Sequence, residues 1–228
     1  MRIEPLGDSA LLVHVVETFE VEQSLDAVLR ATRQLEAARM RGVVDLVPSY
    51  TTIGVFFDPA ATATFDEFRT TIESALQTPL EPARPRADGE TVIEVPVCYE
   101  GEFAPDLDEV ARQAALSPDE VVRRHSHANY RVSCVGFTPG FGYLSGLPSE
   151  LATPRRASPR KEVPTGAVAI GGTQTGIYPR KSPGGWNIIG RTPVRLFDLD
   201  RNPPALFHTG DRVRFRKISR AEFDSFPA

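Results

Sequence analysis

Residues 136–190 open on GFTPGFGYLSGLP (136–148), run through TPRRASPRKEVPTG (153–166) and GGTQTGIYP (171–179), and close on SPGGWNIIG (182–190). These 55 positions hold 11 Gly and 7 Pro, about a third of the segment. Gly permits positive φ and Pro pre-sets φ at about −65°, so this density of both dictates a turn every few residues. The apolar pieces between the turns, GAVAIGG (166–172), GIYP (176–179) and GWNIIG (185–190), are too short for helices. Further short strands are predicted in VRLFD (194–198) and RVRFRKI (212–218), where Val213 and Phe215 alternate with basic residues. Many short strands between tight turns imply a β-barrel or sandwich for this half of the chain.

The pattern changes towards the N-terminus. ALLVHVV (10–16) reads as a strand, and residues 20–41 carry Val21, Leu25, Val28, Leu29 and Leu35 at helical spacing before Gly42. VVDLVP (43–48) and TTIGVFF (51–57) read as strands, and Asp58-Pro59 ends the second. Phe65, Phe68, Ile72 and Leu76 mark one face of a helix over 64–77. The order β-α-β-β-α predicts a small α+β layer close to a ferredoxin-like plan. TPLEPARPRADGE (78–90), with Pro79, Pro82 and Pro85, reads as a linker. The expected division is residues 1–88 and 89–228. After it come a strand TVIEVPV (91–97), a helix over 106–115, and a helix opened by Ser117-Pro118-Asp119-Glu120. There Ser117 is the cap, Pro118 the first helical residue and Glu120 the reciprocal capping residue. YRVSCVGF (130–137) returns to strand.

Composition excludes several function classes. The chain has 228 residues, is 41% hydrophobic and 25% charged, and has no run near 18 apolar residues. It can bury a core, and no transmembrane helix is expected. No signal peptide is read at MRIEPLGDSALLVHVV, and a cytoplasmic location is expected. Cys98 and Cys134 are too few for a disulfide framework, and no metal site is expected, because His14, His125, His127 and His208 form no ligand pattern. The net charge of −4 is uneven: residues 151–228 carry +8 and residues 1–150 carry −12. The acidic part argues against nucleic acid; the basic part suits a carboxylate, a phosphate or an acidic protein surface, or is simply solvated.

Turn chemistry alone does not explain the aromatic and polar residues among the glycines. Phe137, Phe141 and Tyr143 surround Gly and Pro; Arg155, Arg156, Arg160 and Lys161 fall between prolines; Gln174, Thr175 and Tyr178 fall between glycines; Trp186 and Arg191 follow. Loops on a rigid β scaffold carry binding groups, and arginine forks match carboxylate and phosphate.

HSHANYRVSCVGFTPGFGYLSGLP (125–148), PRRASPRKEVPTGAVAIGGTQTGIYP (154–179), SPGGWNIIGRTPVRLFD (182–198) and GDRVRF (210–215) together resemble the 5-oxoprolinase B-subunit family, also called Kip inhibitor or allophanate hydrolase subunit 1. GDSALLV (7–13), VPSYTTIGVFFDP (47–59) and VPVCYEGEFAPDLDEVA (95–111) extend the resemblance over nearly the whole chain. Gly142 stands where the family usually has Pro, and Thr165 and Ala167 vary its usual VPAGS. The resemblance implies an N-terminal α/β domain, a C-terminal cyclophilin-like β-barrel, and hetero-oligomeric work with the A and C subunits of 5-oxoprolinase. It implies ATP-dependent opening of 5-oxo-L-proline to L-glutamate, with ATP held by the complex, on this chain or on a partner.

Activating a lactam needs cations near phosphoryl oxygens and donors for an oxyanion. Arg155, Arg156, Arg160 and Arg191 are the candidate cations, and Gln174, Thr175 and the GGTQTG backbone the candidate donors. His125 is the candidate acid/base, against the alternative of a cation closing a helix. Tyr130, Tyr143 and Tyr178 are candidate substrate donors, and Phe137, Phe141 and Trp186 candidate binding or interface residues. On this reading Arg160→Ala and Gln174→Ala abolish activity without unfolding the chain. No GxxxxGK[ST] phosphate loop is present. A Kip-type inhibitor of a sensor histidine kinase shares these motifs and is the alternative; a cyclophilin-type prolyl isomerase, suggested by the barrel alone, ranks below both.

Overall fold

The computed structural model describes residues 2–61, 64–79 and 92–227. Contacts between residues group the chain into two compact units, Met1–Glu90 and Thr91–Ala228. From Leu80 to Glu90, the expected linker lies outside the described residues.

The first unit contains β1 (Arg2–Pro5), β2 (Ala10–His14), α1 (Val21–Ala38), β3 (Val43–Ser49), β4 (Thr52–Phe57) and α2 (Phe65–Gln77). Its antiparallel sheet has the order β1-β2-β4-β3. Leu11 and Val13 of β2 and Ile53 and Val55 of β4 alternate onto one face. There they meet Val28, Ala31 and Leu35 of α1 and Phe68, Ile72 and Ala75 of α2. Both helices therefore cover the same side of the sheet. β2, β4 and β3 take the ferredoxin-like places, but β1 fills the remaining edge. A C-terminal strand fills that edge in the usual plan. The sequence pattern does not reveal β1, because four residues are too few for a visible period. α1 also ends earlier than Gly42, with Arg39 in the left-handed region at φ 44°. α2 is closed by a reciprocal cap in which Thr64 and Glu67 each satisfy the other's backbone N–H.

The second unit is built on a closed seven-stranded barrel. Its strands are β5 (Val92–Cys98), β6 (Tyr130–Val135), β7 (Gly142–Ser145), β9 (Ala167–Gly171), β10 (Gln174–Ile177), β12 (Asn187–Arg191) and β13 (Arg212–Ile218). They close in the order β10-β7-β6-β13-β5-β12-β9. The first and last strands, β5 and β13, pair in parallel over seven residues. β8 (Arg160–Val163) and β11 (Ser182–Gly184) form a separate ribbon. VRLFD is not a strand: only Phe197 makes a single bridge, to Ala205, and Pro193 interrupts the run just before it.

α3 (Leu107–Ala114) and α4 (Pro118–His127) add Leu107, Val110, Val121 and Val122 to the cluster formed by Val95, Val97, Val132, Val168, Ile170, Ile189, Val213 and Phe215. Ser117 caps α4 as its sequence implies, accepting from the Glu120 N–H. The Glu120 carboxylate does not complete a reciprocal cap; it is taken by Arg123 and Arg124, which hold its pKa down at about 2.

β9 shows how the barrel creates a second hydrophobic layer. Its sequence AVAIG is buried on both faces. Val168 and Ile170 point into the barrel, while Ala167 and Ala169 join Phe141, Val163, Tyr178, Trp186 and Ile188 on the outside. The small alanines leave room there for large rings, and that outer layer carries the candidate site.

Candidate binding site on the outer barrel wall

Seven of the aromatic and basic residues expected to bind come together. Phe141, Tyr143, Tyr178, Trp186, Arg155 and Arg156 line a cavity of about 210 Å³, with Phe137 at its edge and Pro159, Pro183, Gly184 and Gly185 completing it. Phe141 is the hub: its ring centroid lies 4.9 Å from Tyr143, 5.4 Å from Tyr178, 5.5 Å from Trp186 and 5.6 Å from Phe137. Their interplanar angles of 66–82° are the edge-to-face geometry that ring quadrupoles favour. Phe137 is 63% exposed and holds φ at 67°, which is uncommon for an aromatic residue. The 136–141 turn that carries it is tied by Gly136 N–H to Phe141 O at 3.0 Å and by Phe141 N–H to Thr138 O at 3.0 Å.

Glycines set how closely these rings approach the wall. A Cβ on Gly171 would lie 2.5 Å from the Trp186 indole, and one on Gly184 would lie 2.4 Å from the Tyr178 oxygen. Real Cβ contacts do not occur at such distances, so the rings rest on bare backbone. Burial raises the Tyr178 hydroxyl pKa, against a smaller opposing pull from the Trp186 backbone N–H; burial raises Tyr143 as well. Both phenols stay protonated at neutral pH and available as donors.

The two cavity arginines differ. Arg156 Nη1 donates to Asp106 Oδ1 at 2.9 Å, and Arg160 Nη2 donates to the same oxygen at 2.8 Å. Asp106 Oδ2 accepts from the Ile188 N–H at 2.7 Å. Arg155 instead lies over Trp186, with Cζ 5.8 Å from the ring centroid. Among the described residues it has no carboxylate partner. Arg155 is thus the cation at this cavity left open to an anionic ligand.

The structure places the other sequence candidates elsewhere. His125 is fully buried in the barrel core and stacked on Phe215 at 4.6 Å. Thr175 Oγ1 donates to Ala169 O at 3.0 Å, so it accepts from His125 Nε2–H, also at 3.0 Å. His125 Nδ1 then accepts the Tyr99 hydroxyl at 2.8 Å. With both ring nitrogens taken and the ring closed off from the surface, His125 is a neutral core residue; this corrects its reading as an acid/base. Tyr130 and Thr175 are corrected likewise: Tyr130 donates to His125 O at 2.9 Å within the core. Gln174 is half-buried at the start of β10, 3.4 Å from Ser145 Oγ, outside the cavity. Arg160 and Arg191 line a different cavity. Sequence reasoning misses Asp106, because before a helix an Asp reads as an ordinary cap. Here it makes no side-chain cap bond, and both its oxygens reach to distant residues.

Burial lowers the His125 pKa from 6.5 to about 3. The folded value lies below the unfolded one, so the native state favours neutral His125, and stability falls as pH drops from about 6.5 towards 3. At pH 5 the contribution is about 2 kcal/mol, set by the unfolded pKa alone while the folded one stays well below 5. We expect His125→Gln to flatten this part of the profile. Urea unfolding at pH 7 and pH 5 measures it; an equal pH 5 penalty in both proteins contradicts it.

No helix among the described residues is long and apolar enough to cross a membrane. Nor do they contain a group of three His, Cys, Asp or Glu that could hold a metal ion.

The closed barrel with its outer aromatic cavity falls in a defined class: the family model "Carboxyltransferase domain, subdomain C and D" matches residues 1–207. The chain is 37% identical to the 5-oxoprolinase B subunit of Bacillus subtilis over 235 residues, covering 99% of this chain and 96% of that protein. It is 39% identical to the 5-oxoprolinase B subunit of Haemophilus influenzae over 215 residues, covering 94% and 97%. The chain belongs to the 5-oxoprolinase B-subunit family.

Among solved structures it is similar to TTHA0988, with a TM-score of 0.77 at 37% identity, covering 92% of this chain. This chain spans 40% of that longer one. It also resembles the conserved uncharacterized protein PH0987 of Pyrococcus horikoshii, with a TM-score of 0.58 at 41% identity, covering 97% of this chain and all of that one. The urea amidolyase of K. lactis, at 18% identity and a TM-score of 0.75, shares the fold.

Proposed function

We propose that this chain is the B subunit of an ATP-dependent 5-oxoprolinase that opens the lactam of 5-oxo-L-proline to L-glutamate together with subunits A and C. The observation that carries the reading is the aromatic cavity with Arg155 at its wall, in a chain that matches named B subunits over nearly its full length. At about 210 Å³ the cavity is smaller than the roughly 300–1,000 Å³ of sites for drug-sized ligands. It suits a small ring acid and not a nucleoside triphosphate, and the chain has no phosphate loop. ATP, on this proposal, is held by a partner subunit, where it supplies the activation that makes a resonance-stabilised amide carbonyl electrophilic.

This chain's own residues then bind and orient the substrate. The Arg155 fork receives the ring's carboxylate. Phe141 and Trp186 flank the ring and exclude water. The Tyr143 and Tyr178 hydroxyls, kept protonated by burial, donate towards the lactam oxygen. We propose further that the two compact units are the chain's two domains. The test is reconstitution with purified A and C subunits, following glutamate formation and ATP hydrolysis. Turnover is expected only when all three chains are present. Full turnover by A and C without this chain overturns the proposal.

A further inference from the structure

The barrel unit has a second cavity, of about 500 Å³, that shares no lining residue with the first. Phe103, Ile188 and Phe223 give it an apolar surface. Its charged lining is unevenly satisfied. Arg220 is paired with Glu102 and Asp224, each at 2.9 Å, and Glu162 is paired with Lys181 at 2.9 Å. Every carboxylate on the wall therefore already has a cation.

Two guanidinium groups are left with donors to spare. Arg191 Nε donates to Thr165 O at 3.0 Å and its Cζ lies 5.3 Å from the Phe103 ring centroid. Its Nη1 and Nη2 have no partner among the described residues. Arg160 gives Nη2 to Asp106, but its Nη1 is buried without any hydrogen-bond partner. A buried charged donor left unpaired is costly and rare in native structures. Both arginines line this cavity, so an acceptor anion entering it meets the Arg191 donors first and reaches the Arg160 Nη1 once that side chain turns towards it.

We propose that this second cavity binds a small organic carboxylate, with its charged end on Arg191 and Arg160 and its apolar body against Phe103, Ile188 and Phe223. The planar fork of arginine matches a carboxylate. The aromatic and aliphatic surface selects for a carboxylate that carries a hydrophobic group. This inference does not depend on the 5-oxoprolinase reading.

Benzoate is a suitable probe, titrated into the full ¹⁵N-labelled chain at low salt and followed by NMR. Saturable shifts are expected at the backbone amides of Ala167, Ile188 and Gly190. Benzamide, the same ring without charge, should give none. Inorganic phosphate, charge without the apolar body, should bind at least about tenfold more weakly than benzoate. R191Q should weaken benzoate about tenfold, the loss of one charge-assisted hydrogen bond. R191K, which keeps the charge and loses the fork, should fall between; R155Q, at the other cavity, should leave the titration of the Ala167, Ile188 and Gly190 amides as in the parent. The proposal is overturned by shifts at Gly184 and Trp186 of the first cavity with none at Ala167, Ile188 and Gly190, by an equal response of those three amides to benzamide or phosphate, by their unchanged titration in R191Q, or by no response to benzoate.

Discussion

Asp106→Ala is expected to lower the stability of the protein by about 3 kcal/mol, because three hydrogen bonds from two distant parts of the chain end on one carboxylate. It accepts two charge-assisted bonds, from Arg156 and Arg160, and a third from the buried Ile188 N–H. Hydrogen bonds to charged groups contribute about 1.5–3 kcal/mol each when deeply buried. Both arginines are partly exposed, at 37% and 24%, so their share is smaller, and solvent takes up part of the lost interaction. The Ile188 N–H has no such relief and bears an unsatisfied-donor penalty of about 1–3 kcal/mol. For a chain of this length the melting temperature should drop by roughly 6–12 °C. Asp106→Asn keeps an oxygen for the Ile188 N–H and loses the charge, so it should recover about half of the difference. Thermal melts of both variants measure this. A melting temperature within about 2 °C of the parent for Asp106→Ala would show that the hub is not a stabilising element.

In the reconstituted complex, Arg155→Ala is expected to raise KM for 5-oxo-L-proline by roughly 10–100-fold while kcat changes little. The proposed contact is with the substrate carboxylate, away from the lactam bond that breaks. It is present in ground state and transition state alike, and removing such uniform binding appears in KM. The magnitude follows from losing about 1.5–3 kcal/mol of charge-assisted hydrogen bonding. Arg155→Lys should recover part of the affinity, since the charge remains and the fork is lost. Among the described residues, Arg155 makes no ion pair, so neither variant should lower the melting temperature appreciably. An unchanged KM would remove Arg155 from the substrate site, even if the complex as a whole proves to be a 5-oxoprolinase.

The residues that converge on the first cavity were legible because their neighbours are glycine and proline. Phe141, Arg155, Arg156, Tyr178 and Trp186 sit outside the strands where the chain turns, and loops on a β scaffold carry binding groups; Tyr143, within β7, is marked by the glycines at 142 and 146. The residues that misled, His125, Tyr130 and Thr175, belong to regular elements. There a side chain faces the core or the surface according to parity and register, and no local pattern distinguishes Thr175 from its neighbour Gln174. Asp106 and Ile188 are 82 positions apart, a pairing visible only after the barrel closes. In the first unit the apolar periods of both helices and of β4 could be read directly. The N-terminal edge strand could not, since its place comes from pairing with β2 and not from any pattern of its own.

Because Trp186 and Tyr178 rest on Gly171 and Gly184, any side chain at those two positions would push a ring off its seat. Selectivity in this cavity cannot drift through its floor. An ancestor or a designer seeking to accommodate a bulkier acid would have to trim Phe141 or Tyr143 at the walls, leaving the glycine bed untouched.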